Sequence, residues 1–448
     1  MKTLQTLPWA CRSSFNISVS VLAMLLAAST IVPQAHAQTF TVLHTFEGAP
    51  TDGGLPMEGV VMDRIGNLYG VTISGGTFIN GCTGFGDGGC GTVFKLTRHG
   101  SSWLYSVLYK FQGPPDGNYP AGVVVGPDST LYGMTGGGGL SSQQTNCNDY
   151  SNGCGVVFRV RPPATFCSNA VCPWNESVLY TFTGHNGDGG NPSNGDLIFD
   201  SAGNIFGTTP IGGATNYGTA FKLSPSQGGW TENIFYNFDP TQQQIGNPNT
   251  GLLADQAGHF YGSSGYSVDG NPSGGVYELT QTQSGWTANA LQVFNCVGGL
   301  NGCYPADLMF DSAGNLILAN TSSGFYRLGT VIELLASDNW NVDLLYTFHT
   351  GQGYPANRLA MDAAGNIYGT DITCATGYGC IFKLTPTDGG YVYTDLYDFT
   401  GRSDGEKPYG GVVIDAQGNL YGTAMLAGDL RACFRYQNGC GTVWELTP

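Results

Sequence analysis

The sequence predicts an all-β protein, a seven-bladed β-propeller of four-stranded blades, and three observations carry that expectation. The stretch Asp200 to Thr209, Asp-Ser-Ala-Gly-Asn-Ile-Phe-Gly-Thr-Thr, returns closely at Asp63 to Thr72, Asp255 to Ser264, Asp362 to Thr370 and Asp415 to Thr423. Worn copies stand at Pro127 to Thr135 and Asp311 to Asn320, which brings the count to seven. Each copy lies in a unit of four short segments rich in β-branched or aromatic residues and bounded by Gly, Pro, Asn or Asp. The units recur every ~50 to 75 residues, a period that suits propeller blades with loop insertions better than a helical solenoid.

Taken in order, the chain opens on an export signal. Lys2 and Arg12 form a basic start, Val19 to Val32 an apolar core, and Ala35 and Ala37 the small residues of a cleavage site, so the mature chain is expected to run from Gln38. Residues 1–37 are thus a signal peptide and residues 38–448 a single propeller domain. No later stretch approaches the ~20 apolar residues that a membrane helix needs.

Cleavage removes Cys11, Lys2 and Arg12, so the 13 cysteines become 12 and the net charge moves from −16 to −18. The twelve fall into close couples: Cys82 with Cys90, Cys147 with Cys154, Cys167 with Cys172, Cys296 with Cys303, Cys374 with Cys380, and Cys433 with Cys440. An even count in an exported chain reads as local disulfides, each closing a small loop. Most gaps are too long for zinc couples. The acidic balance argues against a nucleic-acid surface, which needs clustered Lys and Arg.

The third unit shows the strand pattern most plainly: Ser193 to Asp200, Asn204 to Thr209, Tyr217 to Leu223 and Trp230 to Phe238. Between the first two, Asp200 can accept N–H groups across a tight turn and Gly203 can take a positive φ. A position that recurs in nearly every unit belongs to folding before chemistry. By analogy with other propellers, the Pro-led segment, as at Pro56 or Pro408, is innermost and the Trp-led one outermost. Thr39 to Phe46 then reads as an outermost strand and Gly441 to Leu446 as a third strand, so the two termini are expected to complete one blade together.

Several pieces of the repeat are specific: Leu179-Tyr180-Thr181-Phe182, Asp188-Gly189, Gly418-Asn419-Leu420-Tyr421-Gly422-Thr423 and Gly91-Thr92-Val93-Phe94-Lys95-Leu96. Together they resemble the GloVer-type tandem repeats of exported bacterial proteins over nearly the whole mature chain. The fifth unit departs with Leu316-Ile317-Leu318. The resemblance implies a propeller-like fold and an exported address, in the periplasm, at the cell surface or outside the cell. It implies no activity.

In a propeller, the loops from an outermost strand to the next blade share one face with the loops between second and third strands. The long cysteine-bearing insertions, 73–90, 136–154, 371–380 and 424–440, are mostly of these kinds. Asp-Gly loops at Asp52, Asp116, Asp188 and Asp404 lead into units one, two, three and seven, which ring closure makes neighbours. With Phe85, Tyr150, Arg435 and Tyr436 on the longest hairpins, they form a candidate binding arc. Aromatic rings would stack on an apolar ligand face and carboxylates would accept its hydroxyls. The ligand class expected is a glycan or a protein.

Each Asp is also the ordinary first residue of a turn. A carbohydrate-active hydrolase or lyase using carboxylates on this face is the alternative. Asn186 to Asn191 offers oxygen donors suited to Ca2+ but lacks the EF-hand spacing, and no cofactor is implied. The sequence holds no H-E-x-x-H pair and no G-x-S-x-G elbow.

Overall fold

The hairpin turn of the repeat is held by its aspartate. In the computed structural model, Asp200 Oδ1 accepts the N–H groups of Ala202 and Asn204, each at 2.9 Å, and Oδ2 accepts the Asn204 side-chain amide. Gly203 stands at φ 80°, in the left-handed region where a side chain would be strained. Asp63, Asp311, Asp362 and Asp415 accept the matching N–H groups and Asn amides. In four copies a tyrosine hydroxyl, of Tyr69, Tyr261, Tyr368 or Tyr421, reaches back to the same carboxylate. The Asn-x-Tyr spacing is thus a clasp on the turn. The second copy substitutes Asp128 bonded to Thr130, and the fourth places His259 where the others have Asn.

The structure describes residues 38–447 apart from 79–81, 83–87, 141–146, 148–152, 164–173, 193–194, 244, 267–273, 295–302, 323–327, 357 and 434–437. Residues Thr39–Thr447 form one unit in which seven sheets of four or five strands are the blades of a seven-bladed β-propeller, with two small ladders, Gly53–Gly54 with Ser74–Gly75 and Gly189–Gly190 with Ile211–Gly212, beside them. In blade three, the strands Ile198–Phe199, Ile205–Thr209, Thr219–Ser226 and Gly229–Asn237 lie in that order, all antiparallel. The innermost strand is shorter than the segment predicted at Ser193 to Asp200. Its ladder to the second strand is confined to Ile198 with Phe206 and Phe199 with Ile205. In blades two and five the innermost strand runs through as Gly117–Val125 and Cys303–Phe310, each with a register shift after its proline.

Apolar packing lies between blades. Every fourth strand is followed at once by a buried phenylalanine: Phe46, Phe111, Phe182, Phe238, Phe294, Phe348 or Phe399. In all seven, its N–H donates to the carbonyl of the glycine just before its own blade's third strand: Gly441, Gly91, Gly155, Gly218, Gly274, Gly329 and Gly379 respectively, at 2.9–3.2 Å. Its ring meets the third-strand aromatic of the next blade edge to face. Such pairs are Phe46 with Phe94, Phe111 with Phe158, Phe182 with Phe221, Phe238 with Tyr277, Phe348 with Phe382 and Phe399 with Trp444.

The same seven glycines touch the leading proline of the following blade. A Cβ at Gly91, Gly218 or Gly441 would stand 2.7 Å from Cδ of Pro120, Pro248 or Pro56, and all three glycines have positive φ. The last contact joins blade seven to blade one. There Thr39–Thr45 pairs with Thr442–Thr447 as the outermost strand of the seventh sheet. Trp103 of blade one packs edge to face on Tyr421, and Thr423 Oγ1 donates to the Glu58 carbonyl at 2.9 Å.

Beneath each third-strand aromatic lies a second-strand glycine. A Cβ at Gly207 would stand 2.7 Å from Phe221 Cζ, and Gly70, Gly133, Gly262, Gly369 and Gly422 are pressed in the same way under Phe94, Phe158, Tyr277, Phe382 and Trp444. Blade five departs at both positions together: Leu318 pairs with Ile332, both fully buried, so the smaller third-strand side chain leaves room for the larger second-strand one.

Candidate functional site

The four Asp-Gly aspartates stand at the heads of loops between an outermost strand and the next innermost strand, as the sequence predicts, and each is engaged by its own loop. Asp116 Oδ2 accepts Tyr109 Oη at 2.9 Å and Gln112 N at 3.0 Å, and Oδ1 accepts Gly117 N at 2.7 Å. Asp188 accepts Thr183 N, Thr183 Oγ1 and Gly189 N, all at 2.7 Å. Asp404 accepts Tyr397 Oη, Thr400 N and Thr400 Oγ1 at 2.6–2.9 Å. At Asp52 the tyrosine position is taken by His44, whose Nε2 lies 3.0 Å from Oδ2, while Tyr105 Oη donates to Oδ1 at 2.5 Å.

The environments differ. Burial pushes the Asp52 carboxyl upward, but His44, Tyr105 and the Glu47 amide outweigh it and hold the group below the ordinary range. Asp404 is likewise held low, burial being outweighed by Thr400 and Tyr397. At Asp116 burial wins over the bonds from Gly117, Tyr109 and Gln112, and the value rises. Blade six has no Asp-Gly loop, and there Gln352 plays the part, accepting Tyr346 Oη at 3.0 Å and His349 N at 2.8 Å.

On the same face, disulfides join Cys82 to Cys90, Cys147 to Cys154, Cys374 to Cys380 and Cys433 to Cys440, with Cα separations of 5.0–5.8 Å. Cys303 is also disulfide-bonded. Cys167, Cys172 and Cys296 lie outside the described residues, as do Phe85, Tyr150, Arg435 and Tyr436. Three of the disulfides also place a carbonyl between blades: those of Cys90, Cys154 and Cys440 accept the N–H of Tyr119, Asn191 and Leu55, the residues before the next blade's proline. The stretch considered for Ca2+ is a turn, closed by Asp188 N to His185 O at 2.9 Å. The cysteines of the one acidic-thiol cluster among the described residues, Cys374 and Cys380 with Asp398, are joined to each other.

The innermost strands also assemble a charged group that the linear sequence does not announce. Four residues before each hairpin turn, the chains approach so closely that Gly59, Gly122, Gly251 and Gly411 occupy four of the seven positions, a Cβ at Gly59 falling 2.9 Å from the Gly411 carbonyl. The other three are Asp196, Asp307 and Arg358. The Arg358 guanidinium pairs with Asp196 and lies 3.5 Å from Asp307. Blades three and six are as far apart as a ring of seven allows, so the Arg358–Asp196 pair spans the propeller axis. Glu58, one residue from this register, completes the group.

Burial, then the Asp307 carboxylate, pushes Glu58 up to about 7 against the pull of Arg358, with Asp196 adding to the rise. Burial also raises Asp307, while Asp196 foremost keeps Arg358 protonated. A folded value above the unfolded one confers stability below the unfolded pKa and loses it as pH rises through the folded pKa. Stability is therefore expected to fall between about pH 5 and pH 8, and Glu58→Gln is expected to flatten that fall and to stabilise the fold at pH 8 by ~1–3 kcal/mol. Thermal unfolding of both proteins across this range checks it. Glu232, also pushed to about 7 by burial, acts with the same sign. It accepts Tyr180 Oη of the neighbouring blade, so a raised carboxylate is not by itself a site in this fold.

The Gloeobacter/Verrucomicrobia repeat family matches residues 247–448, which bears out the resemblance drawn from the repeat. No curated protein matches the sequence. Among solved structures, an ulvan lyase of a new polysaccharide lyase family, bound to -[GlcA(1-4)Rha3S]-, is similar at 10% identity over 86% of this chain and 93% of its own, with a TM-score of 0.52. Polysaccharide lyase Uly1 aligns at 12% identity over 93% of this chain and 95% of its own, with a TM-score of 0.48. The PQQ-bound aldose sugar dehydrogenase of Streptomyces coelicolor aligns at 11% identity over 92% and 98%, with a TM-score of 0.42. At these identities the likeness is one of fold.

Proposed function

We propose that the protein is an exported binding module that presents a loop face of disulfide-closed hairpins to a glycan. The disulfides fit an extracellular or periplasmic protein, and no helix among the described residues is long and apolar enough to cross a membrane. The observation that carries the reading is the engagement of Asp52, Asp116, Asp188 and Asp404, each bonded to its own loop rather than paired with another across the face. Hydrolysis by paired carboxylates needs two such groups ~5–10 Å apart acting on one bond. Separate clasps supply rigid loops instead. The four aspartates position the loops, and Phe85, Tyr150, Arg435 and Tyr436 supply the rings and the cation that meet the sugar.

Glu58 favours a second reading, a hydrolase or lyase acting at the axis, because a carboxyl pushed to about 7 near the Arg358 guanidinium is suited to general acid catalysis. A glycan array on residues 38–448, followed by product analysis of each hit, separates the two. Binding without cleavage is expected. Tyr436→Ala should weaken a hit roughly tenfold with unchanged unfolding, as the loss of one stacked ring would. Asp116→Ala should lower both affinity and stability. A shortened glycan product would overturn the binding reading.

A further inference from the structure

We propose that the opposite face, which carries the hairpin turns, holds a second site for a small cyclic carboxylate such as a hexuronate. A cavity of about 520 Å³ opens there between the turns of blades one and two, with Phe199 of blade three in its wall. That volume lies within the ~300–1,000 Å³ of small-molecule sites. Met62, Ile65, Pro127 and Phe199 supply apolar surface, and Arg64 and Ser129 the polar groups.

The turn of blade one departs from its copies at the two residues that reach this cavity. Where it has Arg64-Ile65, the corresponding turns carry Ser201-Ala202, Gln256-Ala257, Ser312-Ala313, Ala363-Ala364 and Ala416-Gln417. Ile65 is 85% exposed, more than any other large hydrophobic residue described, although its N–H is fixed by Asp63 Oδ1 at 3.0 Å. An isoleucine held out into water at a cavity rim lowers the free energy of an apolar ligand face that covers it.

Arg64 makes no ion pair among the described residues, and its guanidinium offers five donors in a fork that matches a carboxylate. The acid in the cavity lining, Asp63, spends its oxygens on Ile65 N, Asn67 N, Asn67 Nδ2 and Tyr69 Oη, and these bonds outweigh burial and hold it below the ordinary range. Its acceptor sites are therefore turned to its own turn rather than to a ligand. A pyranose ring with one carboxylate satisfies both halves of the site, its apolar face on Phe199 and Ile65 and its charge on Arg64.

Calorimetric titration of residues 38–448 with glucuronate, and with glucose as the neutral control, tests the assignment. Saturable glucuronate binding is expected, weakened roughly tenfold by Arg64→Gln and several-fold by Ile65→Ser, with glucose far weaker than glucuronate. Both substitutions lie on an exposed turn, so unchanged thermal unfolding confirms that the fold is intact. Absence of saturable glucuronate binding, an Arg64→Gln titration equal to the wild type, or glucose binding as tightly as glucuronate would each overturn the proposal. The outcome is independent of the loop face, whose residues are untouched.

Discussion

Replacing Gly441 by valine is expected to destabilise the protein by ~3–5 kcal/mol, because two costs fall on one residue. The backbone there has φ 93°, which a β-branched residue adopts only with strain, and an added Cβ would stand 2.7 Å from Pro56 Cδ. The same residue accepts the N–H of Phe46, which directly follows the outermost strand that the N-terminus contributes to blade seven. Displacing Gly441 therefore disturbs the contact between the last blade and the first.

Gly100 provides the control: its φ is 62°, but nothing lies within 4 Å of the position its Cβ would take. Gly100→Val should carry the backbone cost alone, ~1–2 kcal/mol. Urea unfolding midpoints measure both. Equal losses in the two variants would show that the proline contact carries no weight.

The second large effect is a coupling. In six blades a second-strand glycine lies beneath a third-strand aromatic, and in blade five Leu318 and Ile332 take their places. Leu318→Gly alone removes a fully buried side chain and loosens the strand, at a cost of ~3–5 kcal/mol. Ile332→Phe alone overfills the space under Leu318, at ~1–3 kcal/mol. The double variant recreates the pair found in the other blades and is expected to recover ~2–3 kcal/mol relative to the sum of the single losses. Additive losses would mean that the two side chains do not compete for one space between the strands.

The repeat made the fold readable because its residues act locally. Asp200, Gly203 and Asn204 lie within one turn, and the bonds that define it join residues two to four apart in sequence. The blade count and the face shared by the cysteine loops followed from that. The role of Phe238 was less accessible, since its ring packs on Tyr277 of the following blade while its amide bonds back to Gly218. A recurring Tyr-x-Phe hints at burial without naming the partner.

The axial group was not legible at all. Glu58, Asp196, Asp307 and Arg358 belong to four different units, at or beside a register that is glycine in four of the seven, and each looks like an isolated charge until the ring brings them together. The Asp-Gly loops lie between these cases. The aspartate was readable as a turn residue, but its clasp by a tyrosine seven residues earlier, as Tyr109 on Asp116 or Tyr397 on Asp404, depends on the outermost strand folding back beside its loop.

A division of labour follows: what repeats builds the ring, and what differs between copies meets ligands. Amide hydrogen exchange of residues 38–448, with and without a glycan from the array, tests this most directly. The account predicts new protection confined to the cysteine-bearing loops at 73–90, 136–154 and 424–440, with the glycan recovered intact. Protection centred on the innermost strands around Glu58 and Arg358, accompanied by a shortened glycan, would contradict it.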